Sequence, residues 1–352
     1  MSALATDEGW RKVSFGGAAC RVDIDKPQGT ARMRNQFMDM FDLSVPILQA
    51  PIGSAADETL VTAVAQAGGM GSIAMSWTEP DKGLATAAVL RARNIPYFFN
   101  FVLRFGTAYP SRYVGAGLPA VTLSWGIDAD LIAQFKSGGT KVGVQAGSTA
   151  GAIAALAAGA DFLIVQGIEA GGHVQSSTPL ARLLDETVAI AGATPVVAAG
   201  GIATGADIAR AMKAGAHGVM MGTRFMASDE SLAHPAYKQA LVAATAEQTV
   251  YTNCFDIGWP YAMSRVLRNS TFEMWEAAGN PAAPDRPGEG DIIFRCGNDS
   301  IVRYCDTSPA LGAEGDLLAG CLYAGTGVAD ITSVRPAAEI VTSLWSEASR
   351  LL

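Results

Sequence analysis

From Pro46 onward the chain alternates two kinds of segment, and that alternation limits the folds open to it. Short apolar runs of β type recur at 46–52 (PILQAPI), 69–74 (GMGSIA), 97–103 (YFFNFVL), 120–126 (AVTLSWG), 141–147 (KVGVQAG), 162–168 (FLIVQGI), 195–201 (PVVAAGG) and 218–223 (GVMMGT). Between them lie Ala-rich helical patterns such as ETLVTAVAQAGG, DADLIAQFKSGG and GADIARAMKAGA, each closed by a Gly or Gly-Ala of helix-ending type. Strands that are apolar along their whole length, separated by helices, belong to a parallel sheet covered on both faces. Eight such units predict an α/β fold of the (β/α)8 kind, a TIM barrel. The runner-up is an open doubly wound sheet, which would bind phosphate at its first β–α turn through G-x-G-x-x-G. GGMGSI at 68–73 resembles that only loosely and begins ahead of its strand.

The rhythm breaks after Phe225. The organisation expected is an N-terminal extension at 1–40, a barrel at 41–230 and 326–352, and an inserted, largely helical second domain at 231–325 on the substrate side. HPAYKQALVAATAEQ reads as a helix, and a Pro/Gly/Ala/Asp-rich stretch follows at 279–291. The aromatic and Met-rich segment Phe255 to Trp275 is either a wall of the substrate pocket or the insertion's own core. The tail from Pro336 to Leu352 is an amphipathic helix placed to return and close the barrel.

Charge narrows the function classes. Lys plus Arg is 25, Asp plus Glu is 33, and the net charge is −8. A nucleic-acid surface needs a basic face, and no dense Lys/Arg run is present. Cys20, Cys254, Cys296, Cys305 and Cys321 are scattered, with no C-x-x-C, as in reduced thiols of a cytoplasmic protein. With three histidines in the chain a His/Cys zinc site is not expected. The N-terminus has no apolar core of a secretory signal. The longest charge-free stretch, Val142 to Ala160, is mostly Gly, Ala, Ser and Thr, and reads as strand, turn and helix rather than a membrane span. The Ala-rich outer helices equally suit packing in a homodimer.

The barrel reading locates the chemistry. In (β/α)8 enzymes the loops after strands seven and eight commonly bind phosphate. Here they begin at Ala199-Gly200-Gly201-Ile202 and Met221-Gly222-Thr223-Arg224-Phe225. The glycines let the backbone approach an anion, N–H groups and helix N-termini donate, and Thr223 adds a hydroxyl. Arg224 either pairs with a barrel carboxylate or reaches the ligand. Strand six runs into Gln166-Gly167-Ile168-Glu169-Ala170-Gly171-Gly172-His173. That puts His173 on the catalytic face, able to exchange a proton near neutral pH. Gly171 and Gly172 oppose a helix, and hence oppose Glu169 and His173 as i, i+4 metal ligands. His217 reads as structural and His234 as a helix start. Ala50, Pro51 and Ile52 shape a flat pocket wall, and Asn100 offers a donor and an acceptor to a heteroaromatic edge.

Together QAPI (49–52), AGGMGSI (67–73), FFNF (98–101), VQGIEAGGH (165–173) and the segment 196–225 ending in GVMMGTRF resemble the flavin-dependent nitronate monooxygenase family. HPAYK (234–238) and LYAGTGV (322–328) extend the likeness. The resemblance implies an FMN-binding barrel with His173 as active-site base. It implies that Gln166, Gly171 and Gly172 lie against the flavin, and that Gly200, Gly201, Met221, Gly222 and Thr223 grip its phosphate. Ala50, Pro51, Ile52 and Asn100 then line the isoalloxazine. Val174-Gln175 after the histidine, Thr326 in place of the usual Gln, and the long N-terminal extension depart from the pattern. The implied reaction is oxidation of an alkyl nitronate with O2 to a carbonyl compound and nitrite. Flavin-dependent enoyl-ACP reductases share EAGGH and GTRF segments. The alternative is therefore an NAD(P)H-dependent reductase of enoyl thioesters or quinones.

Overall fold

The computed structural model describes residues 34–352 and the paired strands at 13–15 and 18–20. The extension expected at 1–40 therefore falls mostly outside the described residues. All eight apolar runs form parallel strands: β1 (Ile47–Gln49), β2 (Gly71–Ala74), β3 (Tyr97–Val102), β4 (Ala120–Ser124), β5 (Lys141–Ala146), β6 (Phe162–Gln166), β7 (Val196–Ala199) and β8 (Gly218–Met221). From β2 on each pairs with the next in sequence, and β8 returns to β1 with Met220 opposite Leu48. The ring closes between β1 and β2 through Met70, which donates to Ile47 and accepts from Gln49, both at 3.0 Å. This closure excludes the open doubly wound sheet.

Helices cover the outside: α1 (Gln36–Phe41), α2 (Glu58–Gln66), α3 (Pro80–Ala92), α4 (Ala129–Ser137), α5 (Thr149–Ala157), α6 (Leu180–Ala191) and α7 (Gly205–Lys213). Asp57, Asp128 and Ser148 cap the first turns of α2, α4 and α5 by accepting backbone N–H bonds. After β8 the chain leaves the barrel, forms α8 (Pro235–Ala243) and α9 (Ser270–Ala277), and returns as α10 (Ala337–Leu351). Helix α10 packs against α7 and α2, as expected of a tail that completes the outer ring. Among the described residues no helix is long and apolar enough to cross a membrane.

The segment between α8 and α10 is mixed, which corrects the expectation of a largely helical insertion. It holds an antiparallel pair, Thr249–Thr252 with Ser264–Leu267. It also holds a second sheet of Ile292–Cys296, Asp299–Val302 and Ala313–Gly315. These strands are three to five residues long, too short to show a period of their own. Some of their partners are distant in sequence. One such partner is Gly172–His173 from the loop after β6, which pairs with Ser264 and Arg265.

The barrel floor is plugged from below. Phe37 and Met38 of α1 are buried against Leu48, Phe98, Phe162 and Met220. The Phe37 and Phe162 rings meet edge to face at 5.3 Å, and Phe41 closes the triangle at 5.2 and 5.7 Å. Gly143 makes room for this: a Cβ there would sit 2.3 Å from the Phe162 ring. The floor lies at the end of the barrel opposite the functional loops. We expect Phe37→Ala to reduce unfolding free energy by about 3–5 kcal/mol, read from the urea midpoint.

Candidate active site

One cavity of about 610 Å³ opens among the loops at the C-terminal ends of the strands. That is within the range of roughly 300–1,000 Å³ usual for small-molecule sites. The sequence-predicted residues Ala50, Pro51, Ile52, Asn100, Gln166, Gly171, Gly172, His173, Gly200, Gly201, Met221, Gly222 and Thr223 all line it. They come from the ends of β1, β3, β6, β7 and β8, which closure of the barrel brings to one face.

The loops after β7 and β8 leave backbone open to the cavity. Gly200 and Gly201 hold φ of +116° and +68°. At Gly201 a Cβ would stand 2.9 Å from both Glu169 Cβ and Thr326 Oγ1. Among the described residues no acceptor takes the N–H of Gly201 or Gly222. The helix after β7 contributes less than the sequence suggested. Its first turn is closed on itself by a capping box, in which Thr204 and Asp207 satisfy each other's backbone N–H groups. The Thr223 hydroxyl accepts from Gly325 N at 3.0 Å, tying the AGT segment to the β8 loop.

The loop after β6 is fixed from two sides. Gln166 directs its amide at that loop, donating to His173 O at 3.2 Å and accepting from Gln175 N at 2.9 Å. Val174 is buried and donates to Met263 O at 2.9 Å. Arg265 donates to Ile168 O at 3.1 and 2.9 Å. Glu169 caps α6 by accepting from Leu180 N at 3.1 and 2.9 Å. Residues 172–173 pair with Arg265 and Ser264 rather than forming a helix, and Gly172 holds a φ of +83°, the unusual backbone the two glycines allow.

His173 sits among aromatic rings. Trp259 lies 4.2 Å away between centroids, Tyr323 5.4 Å and Trp125 6.5 Å. Its Nε2 is closed off from water and has no hydrogen-bond partner among the described residues. Burial pushes its pKa down to about 4, because a charged imidazole would lose its hydration there. The histidine is therefore a neutral ring at neutral pH. Trp125 has φ of +57°, a conformation that costs a bulky residue of order 1–3 kcal/mol and often marks a functional site. Trp77 and Phe105 extend the aromatic row to the mouth, where they remain 57% and 45% exposed.

Other sequence expectations resolve plainly. His217 Nδ1 accepts from Val196 N, and His234 caps α8 by accepting from Ala236 N. Arg224 is buried and donates to Ala227 O and Ser333 O, so it neither pairs with a carboxylate nor lines the cavity. From Phe255 to Trp275 only Gly258 and Trp259 reach the cavity. Sequence reasoning missed Trp125, Gln145, Asp306 and Tyr323, all of which line it. Asp306 is partly buried, and burial pushes its carboxyl up to about 6.

A model of the nitronate monooxygenase family matches residues 113–347. A nitronate monooxygenase of Pseudomonas aeruginosa strain PAO1 is 31% identical, over 90% of this chain and 99% of that one. The chain belongs to the nitronate monooxygenase family. Its structure is similar to that of FabK from Thermotoga maritima, with a TM-score of 0.75 and 29% identity over 90% of this chain and 96% of that one. Nitroalkane oxidase from Streptomyces ansochromogenes gives a TM-score of 0.73 and 29% identity, over 90% and 98% of the respective chains. The protein is thus an oxidoreductase of the nitronate monooxygenase type.

The low pKa of His173 makes a stability prediction for this nitronate monooxygenase relative. An unfolded histidine takes up its proton near pH 6.5, whereas folded His173 resists until about 4. Its contribution to stability is therefore present above pH 6.5 and lost as pH falls toward 4. Asp306 acts in the opposite sense between its ordinary value of 3.8 and about 6. The comparison is thus between wild type and His173→Asn at each pH. The variant's stability relative to wild type should rise between pH 7 and pH 4.5, measured by urea unfolding.

Proposed function

We propose that the chain is an FMN-dependent nitronate monooxygenase. It oxidises alkyl nitronates, and nitroalkanes after deprotonation, with O2 to a carbonyl compound and nitrite. The observation that carries this reading is the neutral, unpartnered His173 imidazole, set in the same cavity as the glycine ends of β7 and β8.

The cavity suits a flat heteroaromatic group with an anionic tail. Gly200, Gly201 and Gly222 leave backbone uncovered where a phosphate would meet N–H donors, and Thr223 borders the same place. Such donors account for an anionic cofactor in an acidic protein. Ala50, Pro51 and Ile52 form a smooth wall. Asn100 donates to Thr122 Oγ1 at 3.0 Å, which fixes its amide and leaves the carbonyl oxygen to a ligand. Gln166, Gly171 and Gly172 complete the floor on the histidine side. Bound FMN would supply one-electron oxidation of the substrate and reaction with O2.

The chain's own residues do the rest. His173 accepts the α-proton of a neutral nitroalkane, breaking C–H and leaving the electron pair on the nitro group as nitronate. The resulting imidazolium faces the anion it has made. Trp125, Trp259 and Tyr323 exclude water around it, which holds the free imidazole unprotonated, and the anion formed beside it offsets the cost of charging the ring. A small-molecule substrate and O2 are the partners this needs. The cytoplasmic location and a homodimer through the outer helices belong to the same proposal. So does the division into a barrel at 41–230 and 326–352 with an insertion at 231–325.

The second reading is an NAD(P)H-dependent reductase of enoyl thioesters or quinones. The likeness to the Thermotoga maritima structure favours it.

Two measurements test the proposal. The purified protein should show flavin absorption. Without oxygen it should bleach with propane-2-nitronate and not with NADH; bleaching by NADH alone selects the reductase. His173→Ala should lower turnover of neutral nitroalkane by about 10²–10⁴-fold and that of preformed nitronate far less. Separately, Gly201→Val should purify without flavin, because the side chain collides with Glu169 and Thr326 and strains a positive φ, which displaces the loop that carries the Gly201 N–H. Retention of stoichiometric FMN in that variant would move the phosphate site elsewhere.

A further inference from the structure

Asp306 is the only carboxylate among the residues that line the cavity, and no Lys or Arg lines it. Among the described residues Asp306 has no ion pair; its nearest polar side-chain contact is the Cys305 thiol, 4.0 Å from Oδ1. The chain wraps directly over this carboxyl. At Gly258, with φ of +111°, a Cβ would stand 2.3 Å from Oδ1. The next residue, Trp259, is the ring that packs on His173. From the other side, Tyr323 donates its hydroxyl to Asp306 O at 2.9 Å and faces His173 with its ring. Asp306 and His173 thus both line the cavity, and Tyr323 touches each of them.

An oxyanion brought into this space meets no cationic side chain. A carboxylate beside it would repel it; a carboxylic acid would bind it. We propose that Asp306 is a substrate-binding residue that works in its protonated form, donating one hydrogen bond to the oxygen end of the substrate. This rests on the reading above that the substrate carries an anionic or strongly accepting oxygen group, as a nitronate does. Binding such a group takes up a proton.

The surroundings favour that form. The ionisable groups around Asp306 are the Cys305 and Cys321 thiols, the Tyr323 phenol and, across the cavity, His173. Burial holds Cys321 and Tyr323 uncharged, and His173 is neutral in the free protein. None supplies a positive charge to hold the carboxyl ionised. Burial alone already raises it, and an adjacent anion raises it further.

The test is calorimetric titration of the purified holoprotein with nitrite, an inert planar anion, in two buffers of different ionisation enthalpy. Wild type should take up about one proton per nitrite bound at pH 7.5, and affinity should fall about tenfold per pH unit above the carboxyl's titration. His173→Asn should keep that uptake. Asp306→Asn, whose amide donates at every pH, should bind nitrite with no uptake and a flat pH profile. Uptake unchanged in Asp306→Asn, or lost in His173→Asn, overturns the proposal, as does failure of wild type to bind nitrite below pH 6. Should Asp306→Asn not fold, uptake in the His173→Asn protein still decides. The readout needs no turnover, so nitrite binding with uptake in a protein that leaves nitronates unoxidised overturns the proposed function alone.

Discussion

Everything at the functional face depends on one seam in the hydrogen-bond ladder. Strand β1 is three residues long, and β2 begins only at Gly71, so the two overlap little. Met70 bridges them through its own N–H and C=O. Gln49 reinforces the seam with its buried side chain, accepting from Ser72 N at 2.8 Å, while Ser72 donates its hydroxyl back to Gln49 O at 2.7 Å. A parallel sheet of eight strands with this seam open would splay its strand ends. With the seam closed, the loops after β1, β6, β7 and β8 converge on one cavity.

The barrel was legible because its signal is redundant. Each strand is buried on both faces, so Phe162–Gln166 or Val196–Ala199 reads as a solid apolar run whatever its neighbours are. Several helices carry their own side-chain cap, as α2, α4, α5 and α7 do, and a glycine just past the end. The insertion offers no such redundancy. Ser264–Leu267 is a strand because Thr249–Thr252 lies on one side of it and Gly172–His173 on the other. Neither partner can be inferred from four residues. The sheet built around Phe294 combines a tight hairpin, Ile292–Cys296 with Asp299–Val302, and a three-residue strand, Ala313–Gly315, whose pairing no local pattern announces.

The candidate site divides along the same line. Glycines and His173 at strand ends were legible, since a barrel strand's C-terminal end is a known place even before coordinates exist. The aromatic enclosure was not. Trp125 ends the β4 run in plain view, but its left-handed backbone, which turns the chain there, has no sequence signature in a non-glycine residue. Trp259, Asp306 and Tyr323 lie in the part of the chain whose pairing was not readable, and only folding brings them to His173. Gln166 shows the converse limit. Its position at the cavity was legible, but not the engagement of its amide with the loop that carries the histidine.

That enclosure sets the electrostatic character of the site. An enzyme handling an anion on an acidic protein has two ways to hold it: cationic side chains, or dipoles and neutral donors fixed in a dry place. The described residues that line the cavity include no Lys or Arg, so the second is the one open to it. Gly201 and Gly222, whose N–H groups meet no acceptor among the described residues, lie at the β7–β8 end, and the lining also holds a neutral imidazole and a carboxyl whose pKa burial raises. Fixed donors in a low-dielectric pocket interact more strongly than the same groups in water, and they need no reorganisation when charge develops. The aromatic rings therefore do more than fill space around His173. By drying it they lower the imidazole's pKa and raise the carboxyl's, so that burial biases both groups toward their neutral forms.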